Sequence, residues 1–192
     1  MRPTPAELRA ARGRTVPDVL APGLRLLIVG INPGLWSGAT GAHFARPGNR
    51  FYPALYAAGI TGHPIDASAG LSEADRAHLL ARGVGITNLH PHATARADEV
   101  TPAQLRDGVA RLERLVAACR PRVVAVAGIT AYRTAFGRSR ATAGRQPERL
   151  AGAELWVVPN PSGLNAHETV ASLAAAFADA AVAAGIDLGR NH

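Results

Sequence analysis

The stretch Leu24-Arg25-Leu26-Leu27-Ile28-Val29-Gly30-Ile31-Asn32-Pro33-Gly34-Leu35 decides the fold. Its first six residues are mostly aliphatic, and the run closes on Gly, Asn, Pro and Gly. A short apolar run bounded by turn formers reads as a strand buried on both faces. Three further segments have the same character: Val84–Asn88, Val123–Ala127 and Leu155–Val158. Helical stretches lie between and around them, at Arg50–Ala58, Ser72–Arg82, Thr101–Ala118, Ile129–Phe136 and Thr169–Ala184. The third is the best marked. Thr101 and Gln104 form a capping box around Pro102, and Leu105, Val109, Leu112, Leu115 and Val116 recur at helical spacing. Continuous apolar strands separated by helices predict an α/β protein. The expected form is a single three-layer α/β/α domain with a central, mainly parallel four-stranded sheet. The polar segment Arg138–Arg149 is expected to be a surface loop.

The chain has 192 residues, 47% hydrophobic and 18% charged, which fits one globular domain. We place that domain at residues 18–186, with a basic arm at 1–17 and a short tail at 187–192, both loosely docked. No apolar run is long enough to span a bilayer, and no signal-peptide core follows Met1, so a cytoplasmic protein is expected. The net charge of +7 points to a polyanionic partner. Every one of the 21 basic residues is arginine. No lysine is present to form a Schiff base or to serve a phosphate loop. The single cysteine, Cys119, excludes an internal disulfide and an iron–sulfur cluster. Among the histidines only His90 and His92 are closely spaced, and no carboxylate or cysteine cluster joins them. No metal site and no cofactor are expected, and the chain is read as a monomer.

Ligands of open parallel sheets bind beyond the carboxyl ends of the strands. The unusual residues fall there. Strand one runs into Gly30–Gly34, strand two ends at Thr87-Asn88-Leu89, and strand four runs into Asn160-Pro161-Ser162-Gly163-Leu164-Asn165. A glycine-rich loop, Ala39–Asn49, carries Phe44, which offers a stacking plane to a flat ligand, or else anchors the core. Leu164 stands in a loop of Pro, Ser and Gly with the rigidity of a wedge. The same residues also serve as a plain strand-to-helix connection.

In their order and spacing these segments resemble the mismatch-specific uracil-DNA glycosylases, the thymine-DNA glycosylase branch of the uracil-DNA glycosylase superfamily. The elements carrying the resemblance are Gly30–Gly34, the loop to Asn49-Arg50-Phe51, Gly85–Asn88 and Asn160–Leu164, and the similarity runs from about Asp18 to Ala181. It implies a glycosylase domain that flips uracil, notably mispaired with guanine, out of DNA and hydrolyses its N-glycosidic bond. DNA is then the partner, and the cytoplasmic protein would sit with the nucleoid. By the same resemblance Asn32 holds the attacking water, Phe44 stacks on the flipped base, and the backbone amides of Ile31 and Phe44 read its oxygens. Asn160 lies beside the extruded nucleotide, and Gly163, Leu164 and Asn165 fill the vacated space.

Departures from the pattern bear on mechanism. Efficient uracil glycosylases carry Asp and His where this chain has Asn32 and Asn160. Amides neither take up a proton readily nor carry charge, so slow chemistry is implied. Asn88 replaces a lysine of some relatives and is a candidate to hydrogen-bond the base. Asn165-Ala166-His167 follows the wedge in place of Ser-Arg, which leaves Ser162, Asn165 and His167 as neutral candidates for DNA contact. Asp98 is either a helper that polarises the water or a charge complementing the nearby helix N-terminus. Arg46, Arg50, Arg96 and Arg133 are candidates for phosphate contacts. His43 is either a group that touches DNA or the base pocket, or a polar group on an exposed loop. Two other functions fit the sequence. One is a hydrolase of free nucleosides on a Rossmann-like fold. The other is a lesion-binding module without turnover.

Overall fold

The computed structural model describes residues 2–189, and the residues at 190–192 of the expected tail lie outside it. Five strands form one sheet: β1 (Leu26–Gly30), β2 (Val84–Asn88), β3 (Val123–Ala127), β4 (Gly144–Leu150) and β5 (Ala153–Val158). Seven helices accompany it: α1 (Pro5–Ala10), α2 (Leu35–Thr40), α3 (Phe51–Ala57), α4 (Glu73–Ala81), α5 (Pro102–Cys119), α6 (Ile129–Phe136) and α7 (Val170–Ala183). The strand order is β2-β1-β3-β5-β4, with all neighbours parallel except the β4–β5 pair.

Strand β1 shows why the sheet lies in the middle. Its side chains alternate between the two faces, as a period of two requires. Leu26 and Ile28 join one core with Phe51 and Leu55 of α3 and Leu173 and Phe177 of α7. Leu27 and Val29 join the other with Leu112 and Val116 of α5 and Tyr132 of α6. Both faces are therefore covered, and the three-layer α/β/α class is the observed one. The helix signals act as read: Thr101 accepts from the Gln104 amide while Gln104 reaches back, and Ser72 accepts from the Asp75 amide.

Two expectations need correction. The expected loop at Arg138–Arg149 contains β4, so the sheet has five strands rather than four. Its polarity is that of an edge strand: only Gln146 and Leu150 are buried, and Pro147 sits in an irregular register between Arg145 and Arg149. Proline and a bulge are the usual devices that stop an edge from recruiting another strand. The N-terminal arm is also docked firmly. Ala11 is fully buried, Gly13 donates to the Ala93 carbonyl, and Ala93 donates back to Arg14. At the other end the Gly189 amide donates to Gly59.

Helix α5 approaches the end of β2 closely at one point. A Cβ on Gly108 would overlap the backbone carbonyl of Leu89. An alanine inside a helix ordinarily gains about 1 kcal/mol over glycine. Overpacking against immobile backbone costs about 1–3 kcal/mol. Gly108→Ala is therefore expected to destabilise the protein in spite of its better helix propensity, read as a lower urea midpoint with unchanged slope.

Candidate active site

Strand β1 hydrogen-bonds to β2 on one side and β3 on the other, so the chain reverses its winding direction beside it. That is the point in such sheets where a crevice opens. Gly30 ends the strand in this crevice. A Cβ there would overlap Asn88 Oδ1 and stand 3.1 Å from the tip of the Phe44 ring. Glycine thus lets an amide from β2 and an aromatic ring from the following loop meet over the strand end. Phe44 adopts a left-handed backbone conformation, φ 55°, a strained choice for an aromatic residue and one that clusters at functional sites. Its ring stacks on Phe51 at 4.0 Å between centroids, which fixes one face. Among the described residues the amides of Ile31 and Phe44 donate to no acceptor.

The Asn88 amide is held by a chain of forced choices. His43 lies in the core, 3% exposed, so it is not a polar group on an exposed loop. Its Nε2 is 3.1 Å from the Pro17 carbonyl, which can only accept, so the ring proton sits on Nε2. The neutral ring then has a lone pair on Nδ1, which faces Asn88 Nδ2 at 2.9 Å. Asn88 must donate to it, and its Oδ1 is turned over Gly30. Behind this pair, Asp18 accepts from Thr87 and from Arg111, and Arg111 also donates to the Asn88 carbonyl. Burial pushes the His43 pKa down to about 4, against the pull of the Asp18 carboxylate 3.9 Å away.

Asn32 is fixed in the same manner. Its Nδ2 donates to the Pro33 carbonyl at 2.8 Å and to Thr94 Oγ1 at 2.7 Å. The Thr94 hydroxyl proton is already given to the Arg96 carbonyl at 2.6 Å, so Oγ1 can only accept from Asn32. Among the described residues Asn32 Oδ1 has no partner, and it remains as a fixed acceptor. Asp98 is not part of this arrangement. Its carboxylate pairs with Arg96 on the surface and is 61% exposed, and that bond holds its pKa below the usual carboxylate value.

The loop after β5 is folded by its own side chains. Asn160 Oδ1 accepts from the Ser162 amide, Ser162 Oγ from the Leu164 amide, and Asn165 Nδ2 donates to the Asn160 carbonyl. Leu164 projects from the apex, 77% exposed, beside an exposed His167. Arg46–Asn49 and Ser162–Leu164 together line a depression of about 200 Å³ beside this apex. A larger one, about 430 Å³, lies along Gly137–Glu148 at β4 and contains none of these groups. Of the arginines proposed for phosphates, Arg46 is exposed and unpaired among the described residues. Arg133 donates to the Ala141 carbonyl, Arg96 holds Asp98, and Arg50 reaches into the Leu164 loop. Thr94 and the buried role of His43 were not found from the sequence. Their partners lie 62 and 45 residues away in the chain, and only the tertiary fold brings them together.

Fold and site together define an α/β domain that gathers an aromatic ring and two oriented amides at the carboxyl end of β1. The chain belongs to the uracil DNA glycosylase superfamily, whose family model matches residues 17–181. That places it among the DNA glycosylases. A solution NMR structure of a candidate uracil DNA glycosylase from Methanosarcina acetivorans is similar to it, with a TM-score of 0.57. The similarity covers 86% of this chain and 96% of that one at 18% identity, which bears on the fold. Among the described residues no helix is long and apolar enough to cross a membrane, and no group of three His, Cys, Asp or Glu is placed to hold a metal ion.

The low His43 pKa makes stability depend on pH. An unfolded imidazole titrates near 6.5 and this one near 4, so on acidification the unfolded chain takes up the proton first. The contribution of neutral His43 is complete above about pH 6.5 and is lost as pH falls toward 4. The urea midpoint is expected to drop between pH 7.5 and 4.5, and His43→Gln, which cannot titrate, to flatten that slope. An unchanged slope in the variant would count against a buried neutral His43.

Proposed function

We propose that the protein is a monofunctional, mismatch-specific uracil/thymine-type DNA glycosylase. It excises uracil, notably opposite guanine, and related damaged pyrimidines, and leaves an abasic site in an intact strand. The observation that carries this reading is the meeting of Asn88 Oδ1 and the Phe44 ring over Gly30, with the fixed acceptor of Asn32 on the turn that follows the same strand.

Cleavage of the glycosidic bond leaves a cationic sugar and an anionic pyrimidine. In this reading Phe44 stacks on the flipped base, and the unpaired amides of Ile31 and Phe44 stabilise the charge growing on its oxygens. Asn88 Oδ1, fixed as an acceptor, meets a ring N–H. Uracil and thymine present one, and neutral cytosine has a lone pair there instead. Asn32 Oδ1 accepts a hydrogen bond from water and aims it at the sugar carbon. A neutral amide orients the water without taking its proton, so the departing base supplies most of the drive. Extrusion costs a few kcal/mol and is cheapest for a mispaired base. Leu164 enters the vacated stack, with Gly163, Ser162, Asn165 and His167 beside it and Asn160 at its base. Of the four candidate arginines, Arg46 is the one without a partner among the described residues, and it is assigned to a phosphate. Asp98, tied to Arg96, serves the turn and not the water.

Turnover separates this reading from a lesion-binding module, and free deoxyuridine as substrate separates it from a nucleoside hydrolase. Asn32→Ala is expected to slow single-turnover excision from a uracil–guanine duplex by at least about tenfold while DNA binding persists. An unchanged rate would remove Asn32 from the mechanism.

Strand cleavage is expected to be absent. Bifunctional glycosylases attack the sugar with an amine, and this chain has no lysine to do so. Guanidinium groups stay protonated and cannot replace it. Borohydride added during turnover should trap no protein–DNA adduct above background. A robust adduct would refute the monofunctional assignment.

A further inference from the structure

Arg50 is bound to the Leu164 loop by an unusual number of hydrogen bonds. Its backbone amide donates to the Pro161 carbonyl at 2.9 Å. Its guanidinium donates through Nη1 to the carbonyls of Asn165, at 2.9 Å, and Glu168, at 2.8 Å, and through Nη2 to that of Gly163, at 3.4 Å. One residue therefore holds four carbonyls of the eleven-residue connection, 159–169, that joins β5 to α7 and has no helix or strand of its own. The two loops also touch backbone to backbone, since a Cβ on Gly163 would overlap the Gly48 carbonyl. The residues flanking Leu164 on both sides, Gly163 and Asn165, are among those held.

We propose that Arg50 is a positioning residue that sets the Leu164 loop in its inserting shape before DNA arrives. The proposal rests on reading Leu164 as the residue that enters the base stack. An irregular exposed loop would otherwise satisfy its carbonyls with water and sample many shapes. Ordering it on the DNA would then be charged against insertion. A planar fork with several fixed donors suits this task, because one group reaches carbonyls that face it from different directions. An ammonium is a compact point charge on a flexible stem and does not span them. The role differs from that of a phosphate contact, which a lysine also fills.

The test uses the full-length protein with Arg50→Lys, Arg50→Ala and Leu164→Ala. Single-turnover excision is measured for uracil opposite guanine in a paired duplex and for uracil in an open bubble, where little stacking remains to be displaced. Both Arg50 variants are expected to lose about tenfold or more in the duplex and much less in the bubble, the scale of losing hydrogen bonds from a charged donor. Lysine is expected not to rescue. Full rescue by lysine, or an equal loss on both substrates, would overturn the clamp.

Hydrogen exchange without DNA provides a readout that does not depend on catalysis, and its first part needs no variant. The Leu164 and Asn165 amides of the unsubstituted protein should be protected and should exchange faster in Arg50→Lys. Unprotected amides in the unsubstituted protein would overturn the proposal on their own. If Leu164→Ala slows both substrates equally, the insertion reading fails. The exchange data then still show whether Arg50 orders the loop.

Discussion

The absence of a side chain at Gly30 is the constraint on which the site depends. A methyl group at the end of β1 would occupy the place where Asn88 Oδ1 and the Phe44 ring meet. Their approach in turn demands that β2 end level with β1, which the pairing of Gly30 with Asn88 provides. It also demands that the loop bearing Phe44 fold back over the strand, which the left-handed conformation at Phe44 and its stacking on Phe51 provide. Phe51 belongs to the buried core beneath. The backbone strain at Phe44, of order 1–3 kcal/mol for such a residue, is therefore sustained by aromatic packing just below it.

A second regularity concerns the two amides. An asparagine side chain presents an oxygen or an NH2 group by a half-turn about one bond, and the two are nearly equal in shape. Asn32 and Asn88 are both deprived of that choice, and by the same device. Each NH2 group faces an acceptor whose own proton is committed elsewhere, Thr94 to the Arg96 carbonyl and His43 to the Pro17 carbonyl. Each oxygen is left over as a fixed acceptor. A neutral site gains directionality in this way without charge. The energetic burden lies in His43, which must stay uncharged in the core.

How much of this could be read in advance follows from how local each signal is. Four strands were legible because burial on both faces forces continuous apolar sequence. Strand β4 was not, because an edge strand exposes most of its residues and Gly144–Leu150 reads as polar punctuation. Helix α5 announced itself through Thr101 and Gln104, whereas α1 and α2, of six residues each, are too short to show a periodicity. Asn32, Phe44, Asn88 and Leu164 stood out through residue type at strand ends. Thr94 and His43 did not, since their importance lies in a single bond to a distant partner. Asp98 and Arg50 attracted attention as charges near the cleft. A sequence cannot tell a carboxylate facing water from one facing Arg96, or a guanidinium facing phosphate from one facing carbonyls.

That last ambiguity matters for reading the net charge of +7. Arg25, Arg50, Arg76, Arg82 and Arg133 all direct guanidinium hydrogens at backbone carbonyls within the fold. A carbonyl satisfies a donor without cancelling its charge. These arginines still contribute to the positive field that draws a polyanion toward the protein, over distances set by the salt concentration. They have fewer free donors for the short, directional contacts that fix DNA in register. Charge that attracts and groups that grip are thus separable on this surface. The second set is smaller than the composition implies, and Arg46, exposed beside the depression under Leu164, belongs to it.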